Sequence, residues 1–306
     1  MVRLESICEG VAGRINEDAL FYANDGRFIT MAVIDGVTDR VVSCRNWGAL
    51  DGDIDLTGAA FAASVVRDSI ISLLNESWVM NNVLLSCNRR LRMFARDVYG
   101  DFTPQAIFEA EPGLAPYADD PRYFRLVLPA CVVTIARVDL QQRLLDYAHV
   151  GDTELIVFTQ DGRVESITQT IPPHWEKGLI NAQDADPIIR KNKRRGLLHN
   201  YTDPQGNTDP NIGIGVLNGM EELADYVQTN QISLDGVTDV ILCSDGFLLP
   251  PEAPNRLSLM AEWVDQQGIQ AYLQHLRTIE QHDSERKHYP RPKIHDDATA
   301  IHLRLS

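Results

Sequence analysis

The chain has 306 residues, with 28 Lys and Arg against 43 Asp and Glu, so its formal net charge is −15. At 44% hydrophobic and 23% charged residues, it has the composition of a soluble globular protein, long enough for one large domain or two ordinary ones. The negative charge argues against binding of nucleic acid or anionic lipid through a broad charged surface, because both partners are polyanions. No apolar run approaches the ~20 residues of a membrane span, and the N-terminus lacks a signal-peptide pattern. We therefore predict a cytoplasmic protein; nothing in the sequence indicates its oligomeric state.

The first third of the chain predicts short strands followed by two long helices. Short apolar runs bounded by turn residues predict strands at Leu4–Cys8, Ala19–Tyr22 and Phe28–Ile34. Apolar residues at helical spacing predict an antiparallel helix pair over Thr57–Glu76 and Trp78–Tyr99. Residues 101–122 are rich in Pro, Asp and Gly and are interpreted as a loop.

Strands dominate the rest of the chain. The pattern predicts a four-stranded meander, further strands after residue 211, a second helix pair and a last strand. The meander comprises Ala130–Val138, Leu144–Val150, Leu155–Thr159 and Val164–Ile167. The later strands are Ile212–Leu217, Asp225–Gln231, Asp239–Ser244 and Ala298–Leu305, and the helices are Arg256–Gln266 and Ile269–Gln281. Between them, the polar stretch 172–211 is interpreted as an inserted lid or flap with at most short helices.

This order of elements favours an α+β fold, because strands are joined mostly to strands. Two helix pairs and two sets of strands fit a four-layer α-β-β-α sandwich, in which a central antiparallel β-sandwich is flanked by helix pairs. Linker signals are too weak for separate domains, so a single domain over residues 1–306 is predicted.

Acidic residues recur at the ends of the predicted strands. Any one Asp-Gly pair there is most simply a turn, but carboxylates at the ends of neighbouring strands gather at one edge of a sheet. Such a cluster repels itself unless it is protonated or binds cations, and Mg²⁺ and Mn²⁺ prefer oxygen ligands. The acidic residues are Glu17, Asp18, Asp35, Asp152, Asp245 and Asp296.

Five short motifs, in order along the chain, resemble those of the metal-dependent serine/threonine phosphatases known as the PPM or type 2C family. Each motif is weak alone, but together they span residues 14–301, nearly the whole chain. They are Arg14-Ile15-Asn16-Glu17-Asp18-Ala19, Ala32-Val33-Ile34-Asp35-Gly36-Val37, His149-Val150-Gly151-Asp152-Thr153, Ile241-Leu242-Cys243-Ser244-Asp245-Gly246 and Asp296-Asp297-Ala298-Thr299-Ala300-Ile301.

The resemblance implies a set of site residues. Asp35 would bridge two Mn²⁺ or Mg²⁺ ions, and Gly36 would offer its backbone carbonyl. Asp245 and Asp296 would complete the shell of one ion, whereas Glu17 and Asp18 would hold the other, directly or through water. Asp152 would match the ligand of a weaker third metal. Arg14 would bind the substrate phosphate, and Arg14 and Asp18 are the predicted catalytic residues. The implied reaction is attack of metal-activated water on a phosphoserine or phosphothreonine of a protein substrate.

Departures from the family pattern keep other functions open. Val37-Thr38-Asp39 stands where the family has a glycine pair or a His, whereas Asp297 in place of the common Asn is a mild change. One alternative is therefore a catalytically idle regulatory or binding module with the phosphatase fold. Another is a metal-dependent phosphohydrolase acting on a small phosphorylated metabolite. The basic run Arg190–Arg195 is either a solvated surface or a substrate-facing patch that attracts acidic segments.

Overall fold

A computed structural model describes residues 2–37, 56–74, 79–168, 186–251, 253–289 and 293–305. The chain divides into two compact units. The first comprises residues 1–35, 133–170 and 229–306, and the second comprises residues 36–132 and 171–228. The prediction of a single domain over 1–306 stays a prediction. Among the described residues, no helix combines the length and apolar character needed to cross a membrane.

In the described part of the chain, ten strands form two five-stranded sheets, which lie almost entirely in the first unit. The strands are β1 (Arg3–Glu9), β2 (Ala19–Asn24), β3 (Phe28–Val37), β4 (Ala130–Asp139), β5 (Leu144–Val150), β6 (Glu154–Thr159), β7 (Val164–Ser166), β8 (Gln228–Ser233), β9 (Val237–Cys243) and β10 (Ala298–Arg304). Sheet 1 has the order β1-β10-β9-β6-β7, and sheet 2 has the order β2-β3-β4-β5-β8. The pairings β1–β10, β10–β9, β9–β6, β6–β7, β2–β3 and β4–β5 are antiparallel, as predicted.

The main core of the first unit combines apolar side chains from both sheets. Alternate residues of a strand point to opposite faces, so Val240 and Leu242 of β9 join this core together with Met31 of β3 and Tyr147 of β5. The intervening Ile241 and Cys243 lie in a second core with the helices α5 (Arg256–Gln267) and α6 (Ile269–His282). Tyr272 of α6 is fully buried in that core and stacks edge-to-face on Phe247. The two sheets and this helix pair confirm the α+β class.

The second unit contains the helices α1 (Gly58–Leu73), α2 (Met80–Tyr99), α3 (Pro104–Ala110) and α4 (Pro187–Leu198). Helix α1 begins after Thr57, whose hydroxyl accepts a hydrogen bond from the Ala60 amide and so caps the helix. Helix α2 ends at Tyr99, and the following Gly100 adopts a positive φ of 72° that glycine tolerates without strain. The predicted helix pair is therefore confirmed, although residues 75–78 lie outside the described part.

Three local predictions are wrong. Residues 101–122 form α3 and short 3₁₀ turns rather than a plain loop, because Thr103 caps a helix with Pro104 in its first turn. Residues 212–217 make only isolated bridges, through Ile214 and Leu217, rather than a strand. The predicted meander is interrupted, because β5 belongs to sheet 2 and β6 to sheet 1.

The basic run Arg190–Arg195 lies in α4, inside the predicted lid, of which residues 172–185 are outside the described part. Two of its members turn inward: Asn192 donates to the Tyr117 hydroxyl at 2.8 Å, and Lys193 donates to Asp119 at 2.8 Å. Arg190 and Lys191 are exposed. Part of this run thus holds α4 against its own unit.

Candidate functional site

Two of the predicted acidic residues meet at one end of the β2–β3 hairpin. Ala19 of β2 pairs with Ile34 of β3 in antiparallel register. Asp18 directly precedes this pair on one strand and Asp35 directly follows it on the other, so the register brings the two residues side by side. Gly36 follows Asp35 within β3. The sequence prediction that these carboxylates gather at a sheet edge is consistent with this register.

Asp245 and Asp296 flank the neighbouring strands of sheet 1. Asp245 follows β9, and Asp296 lies two residues before β10; these strands pair antiparallel. Gly246 packs so closely on this segment that a Cβ atom there would collide with the carbonyl oxygen of Asp297. Only glycine fits this approach, so the Asp-Gly pair serves to bring Asp245 beside the segment that carries Asp296.

Ser244 joins the two groups of acidic residues. Its hydroxyl donates to Asp18 Oδ2 at 2.8 Å and accepts the Thr299 amide at 2.9 Å. Because Asp18 leads into sheet 2 and Ser244 follows a strand of sheet 1, the contact fixes an acidic side chain of one sheet to the edge of the other. The sequence motif contains this serine, but its role becomes apparent only from the structure.

Asp152 occupies the crossing from β5 of sheet 2 to β6 of sheet 1, and its side chain is exposed. A row of buried polar side chains, joined by hydrogen bonds, lies beside this crossing. The Thr134 hydroxyl is 2.8 Å from His149 Nδ1 and 2.7 Å from the Thr153 hydroxyl. Burial lowers the pKa of His149 to about 4, so the ring is neutral at physiological pH. This chain of hydrogen bonds fixes the residues on both sides of Asp152.

We expect Thr134→Val to lower the free energy of unfolding by about 1–3 kcal/mol, because it leaves buried polar groups of His149 and Thr153 without their partner. Denaturant titration followed by circular dichroism measures this change. Thr278→Val is the matched control, since the Thr278 hydroxyl is exposed and bonds only within its own helix. Equal stability of Thr134→Val and the wild type would show that the chain of hydrogen bonds is unimportant.

The acidic residues interact strongly with one another. Partial removal from water, together with the charges of Asp297 and Asp296, raises the pKa of Asp18 to about 7, although the Ser244 and Thr299 hydrogen bonds oppose this rise. Burial and the charges of Asp18, Asp245, Asp152 and Asp296 raise the pKa of Asp35 well above its usual range. Removal from water and the charges of Asp152, Asp296 and Asp18 raise the pKa of Asp245 to about 8, although Lys293 opposes this rise.

Two basic residues that the motifs do not include contact Asp296. Lys293 Nζ lies 2.7 Å from Asp296 Oδ1, and Arg277 donates to the Asp296 carbonyl at 2.7 Å. Arg277 also pairs with Glu280 at 2.8 Å. These contacts partly neutralise one end of the acidic group. Since Arg277 is distant in sequence and Lys293 lies in a charged loop, no sequence signal marked them.

The remaining predicted residues lie in or beside the loop between β1 and β2. Glu17 is buried, with 4% of its surface exposed, whereas Arg14 is exposed. Among the described residues, no hydrogen bond or ion pair joins the Arg14 guanidinium to the acidic residues, so the role of Arg14 stays a prediction. Thr38 and Asp39 of the altered Val37-Thr38-Asp39 segment lie outside the described residues.

The donor chemistry of the cluster fits a hard divalent cation, since carboxylate oxygens and a glycine carbonyl are the ligands that Mg²⁺ and Mn²⁺ prefer. Removal from water and mutual repulsion raise the pKa of three of its carboxyl groups, and a bound cation would relieve that repulsion. Within the described residues, however, no three His, Cys, Asp or Glu side chains are arranged to hold a metal ion. The ligand set Glu17, Asp18, Asp35, Gly36, Asp152, Asp245 and Asp296 therefore stays a prediction.

Comparison with known proteins identifies the fold. No protein-family model and no curated protein matches the sequence. Among solved structures, the serine/threonine phosphatase Stp1 from Staphylococcus aureus matches with a TM-score of 0.56 and 16% identity, over 100% of this chain and 96% of that one. The chain has the fold of a PPM-type serine/threonine phosphatase.

Other solved structures share this phosphatase fold. RsbX in complex with magnesium matches with a TM-score of 0.52 and 13% identity, over 100% of this chain and 96% of that one. The Mycobacterium tuberculosis serine/threonine phosphatase PstP/Ppp matches with a TM-score of 0.51 and 14% identity, over 100% and 99%. The similarity covers the whole chain, so the predicted fold class is confirmed. At these identities the likeness shows a shared fold.

Proposed function

We propose that this protein is a metal-dependent phosphoprotein phosphatase that hydrolyses phosphoserine or phosphothreonine in the cytoplasm. The observation that carries the proposal is the meeting of Asp18 and Asp35 with the Asp245 and Asp296 segment, through the Ser244 contact, in a chain with the phosphatase fold. The net charge of −15 argues against nucleic acid or a membrane as partner. A phosphorylated protein is the substrate class we propose.

The residues take the following roles in this proposal. Asp35, followed by Gly36, would be shared between two Mn²⁺ or Mg²⁺ ions, with Asp245 and Asp296 on one and Glu17 and Asp18 on the other. When bound, such ions lower the pKa of water and polarise a phosphoryl oxygen. Asp152 would hold a weaker third ion.

Two side chains would act on the reacting groups. Asp18, oriented by the Ser244 hydroxyl, would accept a hydrogen bond from the attacking water and so align it with phosphorus. Arg14 would bind the phosphate with two parallel N–H···O bonds, which a guanidinium supplies and an ammonium does not. The exposed position of Arg14 leaves it accessible to substrate.

The direct test is phosphate release from a phosphoserine peptide, a phosphothreonine peptide, an aryl phosphate and a sugar phosphate, in Mn²⁺, in Mg²⁺ and in EDTA. The proposal expects metal-dependent release from the peptides, with the sugar phosphate at least tenfold poorer in kcat/KM. Preference for the sugar phosphate would instead identify a metabolite phosphohydrolase. No release from any substrate at any metal concentration would contradict the proposal.

The second candidate is a catalytically idle binding module with the same fold. The observation that favours it is that no three acidic, His or Cys side chains of the described residues are arranged to hold a metal ion. Isothermal titration calorimetry separates the two candidates. Binding of a phosphopeptide without turnover would favour the binding module, whereas turnover would exclude it.

Lys293 offers a further prediction about metal affinity. Its ammonium pairs with Asp296 Oδ1 and must give up this contact if a cation is bound there. An exposed pair is worth about 0–1 kcal/mol. We therefore expect Lys293→Gln to lower the Mn²⁺ concentration for half-maximal binding by about two- to fivefold, measured by calorimetry at low ionic strength.

The control for this prediction is Lys287→Gln, which removes an equally charged side chain that pairs with Glu285 at the surface. We expect no change in the metal affinity of the control. Weaker metal binding by Lys293→Gln would show that Lys293 supports the site rather than competes for Asp296.

A further inference from the structure

Asp297 holds both ends of the loop between β1 and β2. Its Oδ1 accepts the Val11 amide at 2.9 Å, and its Oδ2 accepts the Glu17 amide at 2.8 Å. The Asp297 side chain is buried, with 9% of its surface exposed. The two amides flank the loop segment that carries Arg14. The Asp297 carboxylate, directly before β10, therefore fixes the distance between the two ends of this segment.

The loop itself is compact. The Arg14 amide donates to the Val11 carbonyl at 3.1 Å, and the Asp18 amide donates to Asn16 Oδ1 at 3.0 Å. A Cβ atom on Gly10 would lie only 2.8 Å from the Asn16 Cβ, so the two ends of the loop pack in close contact. These contacts tie the residues of the loop together, so its position depends on the groups that hold its ends.

Both partners of Asp297 are N–H donors, so the site requires two acceptors. A carboxylate supplies two acceptor oxygens, whereas an asparagine of the same shape supplies one, and its NH₂ group would face an N–H donor. The charge also has a cost, since Asp297 is among the groups that raise the pKa of Asp18. A neutral residue would relieve that repulsion, so the two-acceptor geometry explains why an acid occupies this position.

We infer that Asp297 is a positioning residue, which holds the loop so that Arg14 meets the phosphate of the substrate. This inference rests on the proposed function, because it assigns to Arg14 the binding of a phosphoryl group. It predicts that Asp297 acts on phosphate binding through Arg14 when each variant is saturated with Mn²⁺.

The test compares wild type, Asp297→Asn, Arg14→Ala and the double variant. The measured quantities are the inhibition constant of inorganic phosphate, KM and kcat for an aryl phosphate, and the Mn²⁺ concentration at half-saturation. At Mn²⁺ concentrations that saturate each variant, we expect Asp297→Asn to raise both the inhibition constant and KM about tenfold. In the Arg14→Ala background, we expect Asp297→Asn to add less than twofold.

A matched control is Asp25→Asn. Asp25 Oδ1 also accepts two backbone amides, from Arg27 and Phe28, but in the exposed hairpin between β2 and β3. The same loss of charge there should leave phosphate inhibition unchanged. An unchanged inhibition constant in Asp297→Asn, or effects of Asp297→Asn and Arg14→Ala that multiply in the double variant, would overturn the inference.

Hydrogen–deuterium exchange supplies a readout that does not depend on activity. In EDTA, peptides covering residues 10–18 should exchange at least fivefold faster in Asp297→Asn than in wild type, whereas peptides from β9 should be unchanged. Equal exchange would overturn the inference even if the enzyme is active. Conversely, faster exchange in Asp297→Asn, together with a wild-type protein that has no phosphatase activity, would support the role of Asp297 in holding the loop and contradict the proposed function alone.

Discussion

Asp35→Ala is expected to lower kcat/KM for a phosphoserine peptide by on the order of 10³-fold or more. Asp35 is the carboxylate whose pKa responds to four other members of the cluster, namely Asp18, Asp245, Asp152 and Asp296. In the proposed function, Asp35 is the carboxylate shared between two cations. Single-turnover phosphate release at saturating Mn²⁺ measures the loss and separates it from weaker metal binding.

The matched control for Asp35→Ala is Asp101→Asn, which removes an exposed carboxylate of the second unit. Its kcat/KM should stay within twofold of wild type. Asp35→Asn keeps the shape of the side chain and removes only the charge, so its loss should approach that of the alanine variant. Activity of Asp35→Ala within tenfold of wild type would mean that the reaction does not use this carboxylate.

The metal-free protein is expected to lose stability as the pH rises from 6.5 to 8. Partial burial and mutual repulsion raise the pKa of Asp18 to about 7 and that of Asp245 to about 8, so the folded state binds protons that the unfolded state has released. Stability then falls with rising pH, because the folded state holds more protons. A shift of one unit in the pKa of a group changes the free energy of unfolding by at most about 1.4 kcal/mol. Solvent screening reduces the contribution of Asp245, because its side chain is exposed.

The pH window matters because buried histidines act in the opposite direction at lower pH. Burial lowers the pKa of His149 to about 4 and that of His199 to about 3. Their unfolded forms take up protons below about 6.5, so these residues make stability rise with pH up to that value. Above it the acidic cluster is the main contributor among the described residues, and we expect a total loss of about 1–2 kcal/mol between pH 6.5 and 8 in EDTA.

Divalent cations should cancel this loss, since they favour the ionised carboxylates. Thermal unfolding in EDTA and in millimolar Mn²⁺ should therefore diverge by several degrees more at pH 8 than at pH 6.5. Asp245→Asn should be more stable than wild type in EDTA at pH 8 and should gain less from Mn²⁺. A melting temperature that rises between pH 6.5 and 8 in EDTA would contradict the electrostatic account of the cluster.

The sequence predicted most strands and helices because their signals are local. Alternating apolar residues define β9 and β10, and Thr57 and Gly100 mark the ends of the first helix pair. Pairing partners are not local. The crossing at Asp152 from one sheet to the other could not be predicted, because apolar runs alone do not show which strands pair.

The acidic residues of the site were predictable from the order of motifs, but the contacts that arrange them were not. Ser244 reaches Asp18 across 226 residues, and Asp297 reaches Glu17 across 280 residues. Such hydrogen bonds depend on the packing of two sheets and leave no local pattern. The sequence interpretation treated Asp297 as a mild change from the common Asn, whereas the structure shows both of its oxygens accepting backbone amides.

The most direct test of the central claim is phosphate release from a phosphoserine peptide by wild type and Asp245→Ala across a Mn²⁺ titration. The account predicts release that rises with Mn²⁺, disappears in EDTA and is reduced at least 10³-fold in the variant. Release that is independent of metal, or equal in the two proteins, would contradict it.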